Sequence, residues 1–168
     1  MEPKVAIETL INELNNRIPP PVHTGGIEDT RPVPAVIIEN INLEDQNYHN
    51  TDHAGSRTDS SGNVTERVFR HYYNMRFSLQ VRNQDEVDAW SDLGALKRAI
   101  ENLGKHPQRN FHADVNDIRS LSSGPISYEY KEPTETELSQ SLLIETFYET
   151  TDSNFDVIKQ FDDSINIY

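Results

Sequence analysis

The stretch that decides the fold is Val68-Phe69-Arg70-His71-Tyr72-Tyr73-Asn74-Met75-Arg76-Phe77-Ser78-Leu79-Gln80-Val81-Arg82, which leads through Asn83-Gln84-Asp85-Glu86 into a run ending Ile100-Glu101-Asn102-Leu103-Gly104. From Tyr73 the alternation is strict, with Tyr73, Met75, Phe77, Leu79 and Val81 on one side and Asn74, Arg76, Ser78, Gln80 and Arg82 on the other. Successive side chains of a strand leave opposite faces, so a period of two marks a half-buried strand. Asn83 and Glu86 stand three apart as in a capping box, which predicts that the strand turns directly into a helix with Asn83 as its N-cap. Ala89, Leu93, Leu96, Ala99, Ile100 and Leu103 then make one apolar stripe at helical spacing, and Gly104 with Pro107 beyond it reads as a stop signal. Strand and helix each have one apolar face to bury, so Phe77, Leu79 and Val81 are expected against Leu93, Leu96 and Ile100.

Outward from this unit, residues 3–18 carry Val5, Ile7, Leu10, Ile11, Leu14 and Ile18 at three- and four-residue spacings, which predicts an amphipathic helix that Pro3 can begin. Pro19-Pro20-Pro21 ends it, and the segment through Gly25-Gly26 and Arg31-Pro32-Val33-Pro34 reads as extended linker, because each proline fixes φ and removes a donor. Ala35 to Ile41 reads as a short strand. Asn42 to Glu66 is polar and nearly free of apolar residues, and a loop of that length predicts a mobile arm between two strands. Beyond the central helix, Phe111–Ile118 and Ile126–Tyr130 read as short strands around a Ser-Ser-Gly-Pro turn, with Phe111, Ala113 and Val115 alternating. The segment from Leu138 to Thr150 alternates Leu142, Ile144, Thr146 and Tyr148 with Leu143, Glu145, Phe147 and Glu149, a strand with both faces partly apolar. These elements predict an α+β fold: a mixed, mainly antiparallel sheet with two amphipathic helices on one face, as a single domain over 1–150. Residues 151–168 then form an acidic C-terminal tail in which Phe155, Ile158, Phe161 and Ile165 recur at helical spacing.

Composition narrows the functional classes. At 168 residues and 35% hydrophobic content the chain can build one modest core. Its net charge of −13 argues against a nonspecific nucleic-acid binder, which needs clustered Lys and Arg. No run of 18 apolar residues spans a membrane, and Met-Glu-Pro-Lys is unlike the start of a signal peptide, so a soluble protein is expected. The lack of cysteine excludes disulfides, thiol catalysis and cysteine-ligated zinc. Acids outnumber bases 28 to 15 and only five of the bases are lysines, a balance that suits work in high salt, where screening shortens repulsion, or simply an ordinary acidic protein. Half of the charge is concentrated in one place, since residues 133–168 hold eight acids and one base.

Chemistry-bearing patterns are few. His49, Asp52 and His53 have the spacing of helical metal ligands but stand in a polar stretch without the internal glutamate of a zinc hydrolase, so solvated residues are the expectation. His112 and Asp114 have the spacing of an exposed strand face as much as of an acid–base pair. There is no Gly-x-Ser-x-Gly and no phosphate-binding glycine loop. Neither catalysis nor a metal or cofactor is expected. Arg70, Arg76 and Arg82 instead place a basic ridge on the polar side of the central strand. Either they pair within the sheet with carboxylates such as Glu39, Glu145 and Glu149, or they meet acids of a neighbouring subunit. With Phe155, Ile158 and Phe161 of the tail they are the candidate subunit-interface residues.

The order of these elements, closed by the strand Leu-Leu-Ile-Glu-Thr-Phe-Tyr, resembles over residues 3–150 the tail terminator proteins of long-tailed, siphovirus-type viruses. That resemblance rests on pattern, since the family has no diagnostic short motif. It implies an α+β fold, six copies in a ring on top of the tail tube, an end to tube polymerisation, and a joint to the neck and capsid. The implied partners are further copies of the chain, the tail tube protein and the neck or head-closure protein, with DNA only passing through the lumen and no membrane contact. It further implies a virion location after assembly in the host cytoplasm, and the acid-rich, lysine-poor composition would fit a salt-loving host. The acidic tail and the 42–66 stretch depart from the pattern, leaving another neck protein, a head–tail adaptor or a tube-like subunit, as the nearest alternative. A small monomeric ligand-binding or metal-dependent domain is the alternative from a different class.

Overall fold

The central strand and helix form as their periodicities dictate. In a computed structural model that describes residues 1–25, 32–45, 51–121, 128–131 and 135–153, strand β4 spans Val64–Asn83 and helix α2 spans Glu86–Lys105. Tyr73, Met75, Phe77, Leu79 and Val81 are all buried, and so is every residue of the predicted stripe on α2. They belong to one apolar cluster, in which each fully buried Leu, Ile or Phe contributes about 1.5–3 kcal/mol.

The corner between them differs from the expectation. The N-cap of α2 is Asp85, whose Oδ1 accepts from the backbone N–H of Val87 at 2.8 Å and of Asp88 at 3.1 Å. Asn83 stays in the strand, accepts from Asp85 N–H at 3.3 Å and donates to Asp92 Oδ2 at 2.9 Å. Asp caps as well as Asn does, and the strand's length moves the cap two residues on. Gly104 likewise does not end the helix, which runs on to Lys105. A Cβ at Gly104 would run into the carbonyl oxygen of Ile118, so glycine there permits a close helix–strand crossing.

The remaining elements are helix α1 (Pro3–Asn15), strands β1 (Val22–Thr24), β2 (Ala35–Asp45) and β3 (Thr51–Thr58), the short helix α3 (Pro107–Asn110), and strands β5 (Val115–Leu121), β6 (Tyr128–Lys131) and β7 (Glu135–Asp152). The result is the expected α+β fold, with a mixed, mostly antiparallel sheet. The chain divides into two compact units: Met1–Asn50 with Tyr72–Tyr148, and Thr51–His71 with the segment from Glu149.

In the first unit the strand order is β1-β2-β4-β7-β5, with β6 also paired to β7. β1 runs parallel to β2, which runs antiparallel to β4. The side-chain pairs Gln80–Glu137 and Tyr72–Phe147 show that β7 rises as β4 falls, so these strands too are antiparallel. Ala6, Leu10 and Leu14 of α1 enter the same apolar cluster as the stripe of α2, together with Val36, Ile38, Val115, Ile118, Leu142 and Ile144. Both helices therefore lie on one face of the sheet. On α1 the buried line runs through Ala6, whereas Val5 is exposed and Ile7 and Ile11 flank the core. The supposed linker contains β1, tied to the end of α1 because Asn15 Oδ1 accepts from Val22 N–H at 2.8 Å. Phe111 to Asp114 is turn rather than strand and Ala113 is exposed, since α3 occupies the chain before β5 starts.

The second unit replaces the expected mobile arm with a hairpin. β3 pairs antiparallel with the first part of β4, from Thr51 opposite His71 to Thr58 opposite Val64. At its tip Asp59 Oδ1 accepts from Ser61 N–H at 2.8 Å and from Asn63 N–H at 2.9 Å. Gly62, at φ 84°, supplies the left-handed residue this turn needs. The tail residues Phe155, Ile158, Phe161 and Ile165, and His49 and Ile126, lie outside the described residues.

Candidate functional site

The polar side of β4 exists because the strand's other side is committed to the core, and the three arginines on it end in different surroundings. Arg76 pairs with Glu44 across β2 at 3.0 Å, near solvent. Such an exposed pair contributes about 0–1 kcal/mol. Arg82 is different: it lies 3.5 Å from Glu137 on β7, with side-chain exposures of only 8% and 4%. Gln80 Nε2 donates to the other oxygen of that carboxylate at 2.9 Å. This face of the sheet is thus also closed over, and Glu39 and Leu143 are buried as well. An ion pair so placed is costly to break, about 3–5 kcal/mol if one partner is removed, because the other charge stays buried. Arg82 belongs to the fold and does not present a surface for a neighbour.

In the second unit Arg70 pairs with Glu149 at 2.9 Å, and His71 Nε2 lies 2.8 Å from Thr150 Oγ1. Glu145, in the first unit, does not meet the ridge. It accepts from Arg119 on β5 at 2.7 Å. All three ridge arginines therefore find carboxylates within the chain: Glu149 as expected for Arg70, but Glu44 and Glu137 for the others.

The His112–Asp114 pair comes together for a structural purpose. Asp114 N–H donates to His112 Nδ1 at 3.2 Å, and Asp114 Oδ2 lies 3.3 Å from the Met1 amino group. Asp114 also lies 3.6 Å from His112 Nδ1, but the backbone N–H already occupies that nitrogen's lone pair. The Met1 amino group donates to the Phe147 carbonyl and the Tyr73 hydroxyl donates to the Met1 carbonyl. Burial first, then the charge of Asp114, pushes the Tyr73 phenol above its ordinary value. The arrangement anchors α1 to the sheet. His53 is exposed with its ring edge on Phe69 at 5.7 Å. Among the described residues no group of three His, Asp or Glu side chains could hold a metal ion.

No protein-family model matches this chain, and no curated protein matches it.

One feature escaped the sequence reading. Residues 97–109 contain Lys97, Arg98, Lys105 and Arg109 against the single acid Glu101, a local charge of +3 in a chain of −13. On the surface, two hollows carry this charge: one lined by Arg17, Ala95, Arg98, Ala99 and Asn102, the other by Lys105, His106, Pro107, Gln108, Arg109 and Asn116. The signal was a local reversal of sign, hidden because the core stripe of α2 runs through the same residues. Among the described residues no helix is long and apolar enough to cross a membrane.

Proposed function

We propose that this chain is a virion structural protein, a tail terminator whose copies close into a ring at the top of the tail tube, stop its polymerisation and join it to the neck. The observation that supports the reading best is architectural. A leading helix, a strand, a hairpin, a long strand running straight into a second helix and a long closing strand form one sheet with both helices on one face. An α+β fold with helices packed on a mixed sheet is what the resemblance implies, while the 42–66 stretch departs from its pattern. The chemistry of the described surface fits a role in assembly, because the ridge arginines serve ion pairs within the chain and two hollows on the surface are lined by basic residues. A net charge of −13 opposes self-association at low ionic strength, so the proposal carries a salt dependence that suits a high-salt setting. The test is sedimentation velocity of the full chain at rising salt. Mass should climb to that of one closed oligomer, and a monomer at every salt and concentration would favour the small-domain alternative instead.

A further inference from the structure

The outward face of α2 carries residues that the fold does not use. Opposite its core stripe stand Val87, Trp90, Gly94, Arg98, Glu101 and Lys105, a line at helical spacing that is apolar in its first half and net basic in its second. Val87 is 76% exposed and Trp90 44%. The ion pairs among the described residues engage Lys4, Arg17, Arg57, Arg70, Arg76, Arg82 and Arg119, and none of them engages Lys97, Arg98, Lys105 or Arg109. An exposed tryptophan beside unpaired cations, in a protein that pairs most of its other cations, is the composition of an interface centre with a charged flank.

We propose that this face docks the C-terminal segment, residues 154–168, of a second copy of the chain. The segment has the complementary chemistry. Asp156, Asp162 and Asp163 against Lys159 give it −2, opposite in sign to the +3 of residues 97–109, and Phe155, Ile158, Phe161 and Ile165 supply apolar anchors at helical spacing. Its length fits too. As a helix, residues 154–168 would cover about 21 Å, and Trp90 to Lys105 covers about 22 Å of α2. Copies that each carry −13 need a local pairing of opposite charge to meet, and this face offers one. A nucleic acid would meet the cations but not Val87, and the rest of the molecule would repel it. The inference does not rest on the tail-terminator reading, since it concerns how copies associate in any particle.

Trp90 is the only tryptophan in the chain, so its fluorescence reports this face alone. In the full-length protein, raising the concentration should move Trp90 emission to shorter wavelength in step with the growth in sedimenting mass. Arg98→Glu with Lys105→Glu should shift that midpoint at least tenfold to higher concentration, as should Phe155→Ser with Phe161→Ser, with thermal unfolding unchanged in both. Mixing the Arg98→Glu/Lys105→Glu protein with one carrying Asp162→Lys/Asp163→Lys should restore association. Emission that does not change with concentration, association unaltered in both variants, or no rescue on mixing would overturn the proposal. So would a double-stranded oligonucleotide that shifts Trp90 emission at lower concentration than the chain itself does.

Discussion

The same substitution at two glycines of α2 should act with opposite sign. Gly94 lies in the helix interior, where a Cβ would meet only Arg98 Nη1 at 3.6 Å, an ordinary contact with the end of a flexible side chain. Gly94→Ala therefore collects the helix-propensity gain, about 0.8–1 kcal/mol, with little opposing it. For a chain of this size that raises the unfolding midpoint by about 2–4 °C. Gly104 offers the same gain, but its Cβ would strike the Ile118 carbonyl oxygen, which is backbone held in the β5–β7 ladder and cannot rotate away. Prising α2 from β5 is an overpacking cost of about 1–3 kcal/mol, which exceeds the gain. Gly104→Ala should thus lower stability by up to about 2 kcal/mol, once the propensity gain is set against that cost. Urea titrations of both variants, with unchanged slopes, measure the difference. Equal shifts of the same sign would refute the crossing geometry and return Gly104 to the role of a simple stop signal.

Leu96→Ala, at a fully buried position of the central cluster, should cost about 2–5 kcal/mol in the same titration, and a loss under half a kcal/mol would mean the strand–helix unit is misplaced. Arg82→Met should cost about 3–5 kcal/mol by removing the cation beside the buried Glu137 carboxylate, whereas Arg76→Glu, at an exposed pair, should stay within about 1 kcal/mol. Similar costs for the two would show that the buried and exposed faces are wrongly assigned. The carboxyl of Asp59 is held below its ordinary 3.8, chiefly by the Asn63 N–H and side-chain amide. Because this folded value is depressed, the turn's contribution is present above 3.8 and is lost as pH falls through the lower folded value. The protection of the Ser61 and Asn63 amides, taken relative to intrinsic exchange at each pH, should therefore fall only in that acid range, and protection that does not follow Asp59 protonation would contradict the hydrogen bonding of the turn.

Where one face of an element is dry and the other wet, the sequence was readable. The alternation through Tyr73–Val81 and the stripe Ala89–Leu103 match the buried residues one for one, because burial on a single face leaves a period that composition cannot hide. The misses have the converse cause. β1 is three residues long among prolines and exists through its parallel pairing with β2 and the Asn15 amide, which are contacts from outside the segment. The β3 hairpin has polar residues on both faces and a register shift beside Gly55, so it shows no period. Arg82 read as one of a polar ridge, because a buried ion pair has the same letters as an exposed one. For the candidate site, sequence found the arginines but only Glu149 of their partners, since pairing depends on strand order. The basic surface of α2 and α3 was legible as a local sign reversal, masked by the stronger apolar signal of the same helix.

The ring is the central claim, and direct imaging tests it. Full-length protein in high-salt buffer, viewed by negative-stain electron microscopy, should show closed rings of six copies with an open centre. They should fall apart as salt is lowered and the repulsion between subunits of charge −13 is unmasked. Fields of dispersed single molecules at every salt and concentration, together with absence of the chain from purified virions, would contradict the tail-terminator account.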